Sequence, residues 1–161
     1  MKEAVPGVTR VAVLTNPGSP YTPPFLREKA RAARAVGLQL PVVEAREPTG
    51  FEKAFAALAA ERAGALMVQI EPMFIVHRRR IVELAARPRV PTVCGDRESV
   101  EAGGLSYGAG FADMYREAAG YVDRILTGAR PADLPVEQPT KLELAIPGAW
   151  RSASGRARSA R

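Results

Sequence analysis

The chain has 161 residues, 47% hydrophobic and 25% charged. That balance suits one globular domain and excludes wholesale disorder, collagen and coiled coil. No run approaches about 18 consecutive apolar residues, so no transmembrane helix is expected. A single cysteine, Cys94, excludes an internal disulfide, and with a single histidine, His77, it leaves too few soft ligands for a zinc site, which takes about four. The net charge of +6 is unevenly spread: the last 14 residues carry four arginines and no acid, while the first 147 carry 19 basic against 17 acidic residues.

Along the chain, strands and helices alternate. The β-branched run Thr9 to Leu14 predicts a buried strand, ended by the turn cluster Thr15 to Pro20. Thr22 is placed as an N-cap with Pro23 at the first helical position, and Gly37 as the glycine that closes the helix. Leu38 to Glu44 predicts a second strand, with Pro41 marking an edge or a strand start. Thr49-Gly50-Phe51-Glu52 has the form of a capping box, opening a helix with Phe51, Phe55 and Leu58 on one face. The apolar run Ala65 to Ile70 predicts a central strand buried on both sides.

Glu71-Pro72 stops that strand, and the spacing then predicts one helix from Met73 to Arg87, with His77, Ile81, Leu84 and Ala85 inward. Pro91 to Cys94 reads as a fourth strand, Glu98 to Ala102 as a short helix and Leu105 to Tyr107 as a fifth strand. Phe111 to Leu126 predicts a long amphipathic helix with Phe111, Met114, Tyr115, Ala118, Val122 and Ile125 on its buried side. Lys141 to Ile146 suits a last extended segment. The order implies an α/β fold: a three-layer open parallel sheet flanked by helices.

The domain reading is a flexible leader over residues 1–8, one α/β unit over 9–146 and a disordered basic tail over 147–161. Met1 to Val8 has no apolar segment of a secretory signal, which for the sequence as written points to the cytoplasm. The Arg/Ser/Ala/Gly-rich tail has too little apolar surface to order itself. It reads as a solvated end in preference to a nucleic-acid arm, so no nucleic-acid partner is expected.

Ligands of open parallel sheets sit beyond the carboxyl ends of the strands. This selects the loops Asn16 to Tyr21, Glu71 to Phe74, Gly95 to Arg97 and Tyr107 to Gly110. Asn16, Pro17, Gly18 and Ser19 feed a helix amino terminus, where free amides would favour an anion; a plain strand-to-helix turn is the alternative. No dinucleotide or nucleoside-triphosphate motif is present, and no cofactor is expected. Glu71 and Asp96 follow adjacent strands and suit acid–base work, receipt of a ligand ammonium, or plain solvation on loops. Tyr107 suits stacking on a ligand or a place at the core edge. His77 reads as a packed helix residue, Arg78-Arg79-Arg80 as a solvated face and Cys94 as a buried, inert thiol.

Four ordered landmarks carry a family resemblance: Arg10 to Pro17, His77 to Ala85, Val100 to Gly108, and Tyr121 to Leu126 continuing through Ala132 to Lys141. Over about residues 8–146 the sequence resembles ABC-transporter substrate-binding proteins of the tryptophan/tyrosine-binding type. The resemblance implies a type I periplasmic-binding-protein fold, with this chain as its carboxyl-terminal lobe only. It implies a solute-binding role without catalysis, an amino acid or similar small ligand, an ABC permease as partner and a periplasmic location. By position, Asn16, Pro17, Gly18, Ser19, Glu71 and Asp96 would face the ligand, and the strand-end loops add Tyr21, Pro72, Gly95 and Tyr107 as candidates. A lone lobe would expose the surface its partner lobe covers, so a homodimer is expected. The Arg-rich text after Ile146 departs from the family and, with four lysines against 19 arginines, suggests an out-of-frame ending of a truncated gene. Two other classes compete: a flavodoxin- or Rossmann-like enzyme using Glu71 or Asp96 as base, and a sensing or interaction module.

Overall fold

The computed structural model of the chain describes residues 5–147. Residues 1–4 and 148–161, which include most of the expected tail and half of the expected leader, lie outside the described residues. Where the leader is described it is packed: Val8 is buried beside Val11 and Ala65, with Val5 against them.

Six strands form one sheet. They are β1 (Val11–Thr15), β2 (Val42–Glu44), β3 (Ala65–Val68), β4 (Thr92–Cys94), β5 (Leu105–Ala109) and β6 (Leu142–Ala145). Their spatial order is β2-β1-β3-β4-β5-β6. The first five are parallel, and β6 returns antiparallel along β5, with Tyr107 opposite Leu144 and Gly108 opposite Glu143. Between them run α1 (Thr22–Ala35), α2 (Phe51–Ala60), α3 (Pro72–Val76), α4 (Arg78–Ala86) and α5 (Phe111–Leu126). The step from β1 to β2 crosses the sheet one way, and the steps β2 to β3 to β4 cross it the other way. Right-handed crossovers therefore put α1 on one face and α2, α3 and α4 on the other. The reversal falls between β1 and β3.

The main core lies on the α2, α3 and α4 face. There Ala12, Leu14, Leu66 and Val68 of the sheet meet Phe51, Leu58, Phe74 and Ile81. Phe51 and Phe74 are wholly buried, with ring centroids 6.1 Å apart, and the edge of His77 meets Phe51 at 5.8 Å. Full burial of one such ring contributes about 1.5–3 kcal/mol.

Several local expectations are revised. Thr22 does not cap α1; Tyr21 holds that position, and the Thr22 hydroxyl turns back to the Asn16 carbonyl at 2.6 Å. The capping box does not form: Pro48–Gly50 is a 3-10 turn, Gly50 precedes α2, and Glu52 reaches across to Arg80 instead. The helix predicted over Met73 to Arg87 is two helices, broken at His77. There the Arg78 guanidinium donates to the Ile75 carbonyl at 2.8 Å, satisfying an acceptor freed by the break. Arg97–Val100 is a 3-10 turn, not an α-helix from Glu98, and β5 continues two residues past Tyr107. Gly37 ends α1 as expected, with φ at +66°.

The largest revision concerns α5. It spans the predicted residues, yet none of them is buried. Tyr115 is 76% exposed, and Met114, Val122 and Ile125 are exposed beside it. On β5 and β6, Tyr107, Leu142 and Leu144 share one face of the sheet and are also exposed.

Candidate functional site at the carboxyl ends of strands 1 and 3

At the reversal between β1 and β3, the end of each strand carries a polar residue, and the two are joined. The Asn16 amide donates to Gln69 Oε1 at 3.1 Å. The Thr22 hydroxyl donates to the same oxygen at 3.0 Å. Gln69 is buried, and its own amide continues the sheet by donating to the Leu14 carbonyl at 3.0 Å. One side chain thus ties together the end of β1, the first residue of α1 and the end of β3. Sequence reasoning missed Gln69 because it sits inside a run read as almost wholly apolar. The signal was available: a glutamine in a strand buried on both faces needs hydrogen-bond partners.

Asn16 then extends the network outward. Its Nδ2 donates to Glu71 Oε1 at 3.2 Å, while its Oδ1 accepts the Gly18 amide at 2.9 Å. Glu71 Oε2 accepts the Met73 amide at 2.9 Å, so this carboxylate caps α3. Glu71 is half-buried. It is held from two sides while part of it stays open to solvent. The residues from Glu71 to Phe74, expected as a loop, are therefore a helix start.

The anion reading of the Asn16–Ser19 segment does not survive the hydrogen bonding. The Gly18 amide is taken by Asn16 Oδ1, the Ser19 amide by the Asn16 carbonyl, and the Thr22 amide by the Ser19 carbonyl. Pro23 and Pro24 carry no N–H, and the Phe25 amide is inside the helix, bonded to Tyr21. What this end of the sheet offers is a carboxylate, the rim residues Pro17, Ser19 and Pro72, and the ring of Tyr21, which is 75% exposed. That set suits a cation with an apolar or aromatic body.

Asp96 follows β4, buried, and is occupied differently. Its Oδ2 accepts both the amide and the hydroxyl of Ser99, at 2.9 and 2.6 Å, holding the 3-10 turn after the strand. Gly95 lies beneath Ile70: a Cβ there would come within 2.3 Å of the Ile70 side chain. One on Gly108 would come within 2.5 Å of the Gly95 carbonyl oxygen. These two glycines let the ends of β3, β4 and β5 close up. Tyr107 is not with this cluster. It lies in the middle of β5, opposite Leu144, on the exposed sheet face.

Burial pushes the Cys94 thiol up to about 11, with the nearby Asp96 charge adding to the shift and a Ser99 hydrogen bond opposing it. This thiol is not an activated nucleophile. Among the described residues, no three His, Cys, Asp or Glu side chains gather as metal ligands, and no helix is long and apolar enough to cross a membrane.

A single α/β sheet with a polar cluster at the strand reversal is the arrangement in which doubly wound folds bind ligands. The chain belongs to the ABC transporter substrate binding protein family, which it matches over residues 1–149. No curated protein matches it. Solved structures show the same fold. A conserved domain protein from Vibrio cholerae superposes with TM-score 0.84 at 23% identity, covering 96% of this chain and 52% of that one. An ABC domain from Streptococcus pneumonia, solved in complex with L-Trp, gives TM-score 0.84 at 19% identity, with 96% and 54% covered. A ligand-free, open substrate binding protein with adhesive properties from Clostridium difficile gives 0.72 at 15% identity, with 96% and 52% covered. The chain thus spans about half the length of the structures it matches.

Proposed function

We propose that this chain is a solute-binding component of an ABC importer and takes the ammonium end of a small amino-acid-like solute at the carboxyl ends of β1 and β3. The observation that carries this reading is Glu71, a carboxylate fixed by Asn16 and by the Met73 amide at the point where the sheet reverses. Ligand crevices in such sheets lie at that point. The loop amides are already satisfied, which favours a cationic group at this wall over a phosphate. Tyr21 and Ile70, both exposed, supply apolar surface beside it. The L-Trp complex of the Streptococcus pneumonia domain supports the same solute class.

In this reading Ser19, Tyr21, Glu71 and Pro72 line the wall, Asn16 and Gly18 position them, and Gly95 and Asp96 shape its far side. Partnership with an ABC permease and an extracytoplasmic location follow from the family as part of the proposal. Self-association is a further part of the proposal, carried by the surface itself. Tyr107, Leu142 and Leu144 on the sheet, with Met114, Val122 and Ile125 on α5, leave apolar surface uncovered among the described residues, and patches of this kind usually find a partner.

One lobe supplies one wall, so affinity is expected to be weak. Calorimetry with aromatic and aliphatic amino acids tests this: binding in the high micromolar range or weaker is expected, reduced by Glu71→Gln. Sub-micromolar binding to the monomer, or binding indifferent to that substitution, contradicts the reading.

A further inference from the structure

We infer that β6 is a self-pairing edge, on which a second copy of this chain docks its own β6 antiparallel in one register, with Leu142 opposite Leu142. This builds on the self-association proposed above and says where it occurs. Among the described residues no strand pairs with the outer side of β6, which ends the sheet. An open edge of this kind presents unpaired backbone donors and acceptors.

The side chains of β6 choose both the occupant and the register. Leu142 and Leu144 stand exposed on the face that also shows Tyr107, and Glu143 alternates to the opposite face, with Lys141 on its side. A two-fold axis perpendicular to the sheet pairs like with like faces, so the leucines of both copies stay on one surface. With Leu142 on the axis, Lys141 stands opposite the partner's Glu143, and Glu143 opposite the partner's Lys141. Opposite charges in directly opposed positions stabilise a strand pair, and like charges destabilise it.

The neighbouring symmetric registers are worse. With Glu143 on the axis, two carboxylates face each other. With Leu144 on the axis, Glu143 faces an alanine and Lys141 faces Pro147, which has no N–H to give. Within one chain Lys141 already lies 3.2 Å from Glu143 and 3.5 Å from Asp113, so its charge is held close to the edge it would present.

The test uses the full chain with single cysteines introduced at the edge. Leu142→Cys is expected to give a disulfide-linked dimer under mild oxidation, because it alone faces its own copy across the axis, and opposed Cβ atoms at about 4.5–5.5 Å need to close by only about 1 Å to be bridged. Leu144→Cys, opposite Thr140 in this register, is expected to give little. Cys94 is buried and supplies a low background. In sedimentation, Lys141→Glu alone and Glu143→Lys alone are expected to run as monomers, and their equimolar mixture as a dimer, since mixing restores both opposite-charge pairs. Circular dichroism confirms that each variant is folded. Equal cross-linking at both positions, or a mixture that stays monomeric, overturns the register. A wild-type dimer that cross-links at neither position overturns the edge pairing but leaves self-association standing, whereas a wild-type monomer overturns both.

Discussion

Asn16 and Gln69 meet across the ends of two neighbouring strands, the backbone amide of one donating to the side-chain oxygen of the other at 3.1 Å. Gln69 is 2% exposed, and the same oxygen accepts the Thr22 hydroxyl. Gln69→Ala would leave the Asn16 backbone amide without its acceptor at a part-buried strand end, while the Thr22 hydroxyl keeps the Asn16 carbonyl at 2.6 Å. Unmet buried groups cost about 1–3 kcal/mol. Urea unfolding is expected to show a lower midpoint at unchanged slope. Because Asn16 also holds Glu71, ligand affinity is expected to fall with it.

Cys94 is expected to be inert in the folded protein. Its thiol is buried and raised to about 11, so almost no thiolate exists at pH 8. Alkylation by iodoacetamide at that pH is expected to be slow in buffer and fast in denaturant. Rapid labelling of the folded chain would mean that the strand end opens far more readily than its packing indicates.

Part of the fold is legible in the residue pattern alone. The position of β1, the central placement of β3 and the limits of α5 follow from period and composition, because a buried parallel strand must be apolar and a long helix must repeat. Gly37 follows from the one conformation in which glycine is cheap. Local signals failed where a distant partner outbid a near one. Glu52 left its capping position for Arg80, and Arg78 stabilised a helix break at His77 that the apolar repeat runs straight through. The strand-end loops were selected by topology alone, and the anion alternative for the Asn16–Ser19 segment is the part that the hydrogen bonding revises. Only coordinates reveal that Asn16 spends the amides expected to bind an anion. The apolar stripe of α5 was legible as a stripe; what covers it lies in no pattern of its own residues.

The ion pairs around β6 predict a pH response of stated sign. Hydrogen bonds and charges from Lys141 and Arg97 hold the Glu143 carboxyl below its ordinary range, and Arg116 with Lys141 does the same for Asp113. Depressed carboxylates contribute stability above their unfolded values, and lose it as pH falls through the folded ones. Lys141 is raised by Glu143 and Asp113, so its contribution is present below its unfolded value and is lost as pH rises through the folded one. Lys141 is exposed and the two carboxylates are partly exposed, so the effect is small and screened by salt. Thermal melts are expected to show a plateau from near pH 5 to near pH 9 with a decline on both sides, the alkaline one led by the buried Cys94 thiol, which is raised to about 11 and loses its contribution as pH rises past the unfolded value. Lys141→Ala and 0.5 M salt are expected to reduce the ion-pair part of the response, most visibly on the acid side, and to leave the Cys94 part of the alkaline decline in place.

A solute is expected to touch the chain at the carboxyl ends of β1 and β3. Titrating L-Trp to millimolar concentration into uniformly 15N-labelled protein reads this residue by residue. Amide shifts confined to Asn16, Gly18, Ser19, Tyr21, Glu71 and Met73, and lost in Glu71→Gln, are the expected result. Shifts centred on other loops, with these amides silent, would contradict it.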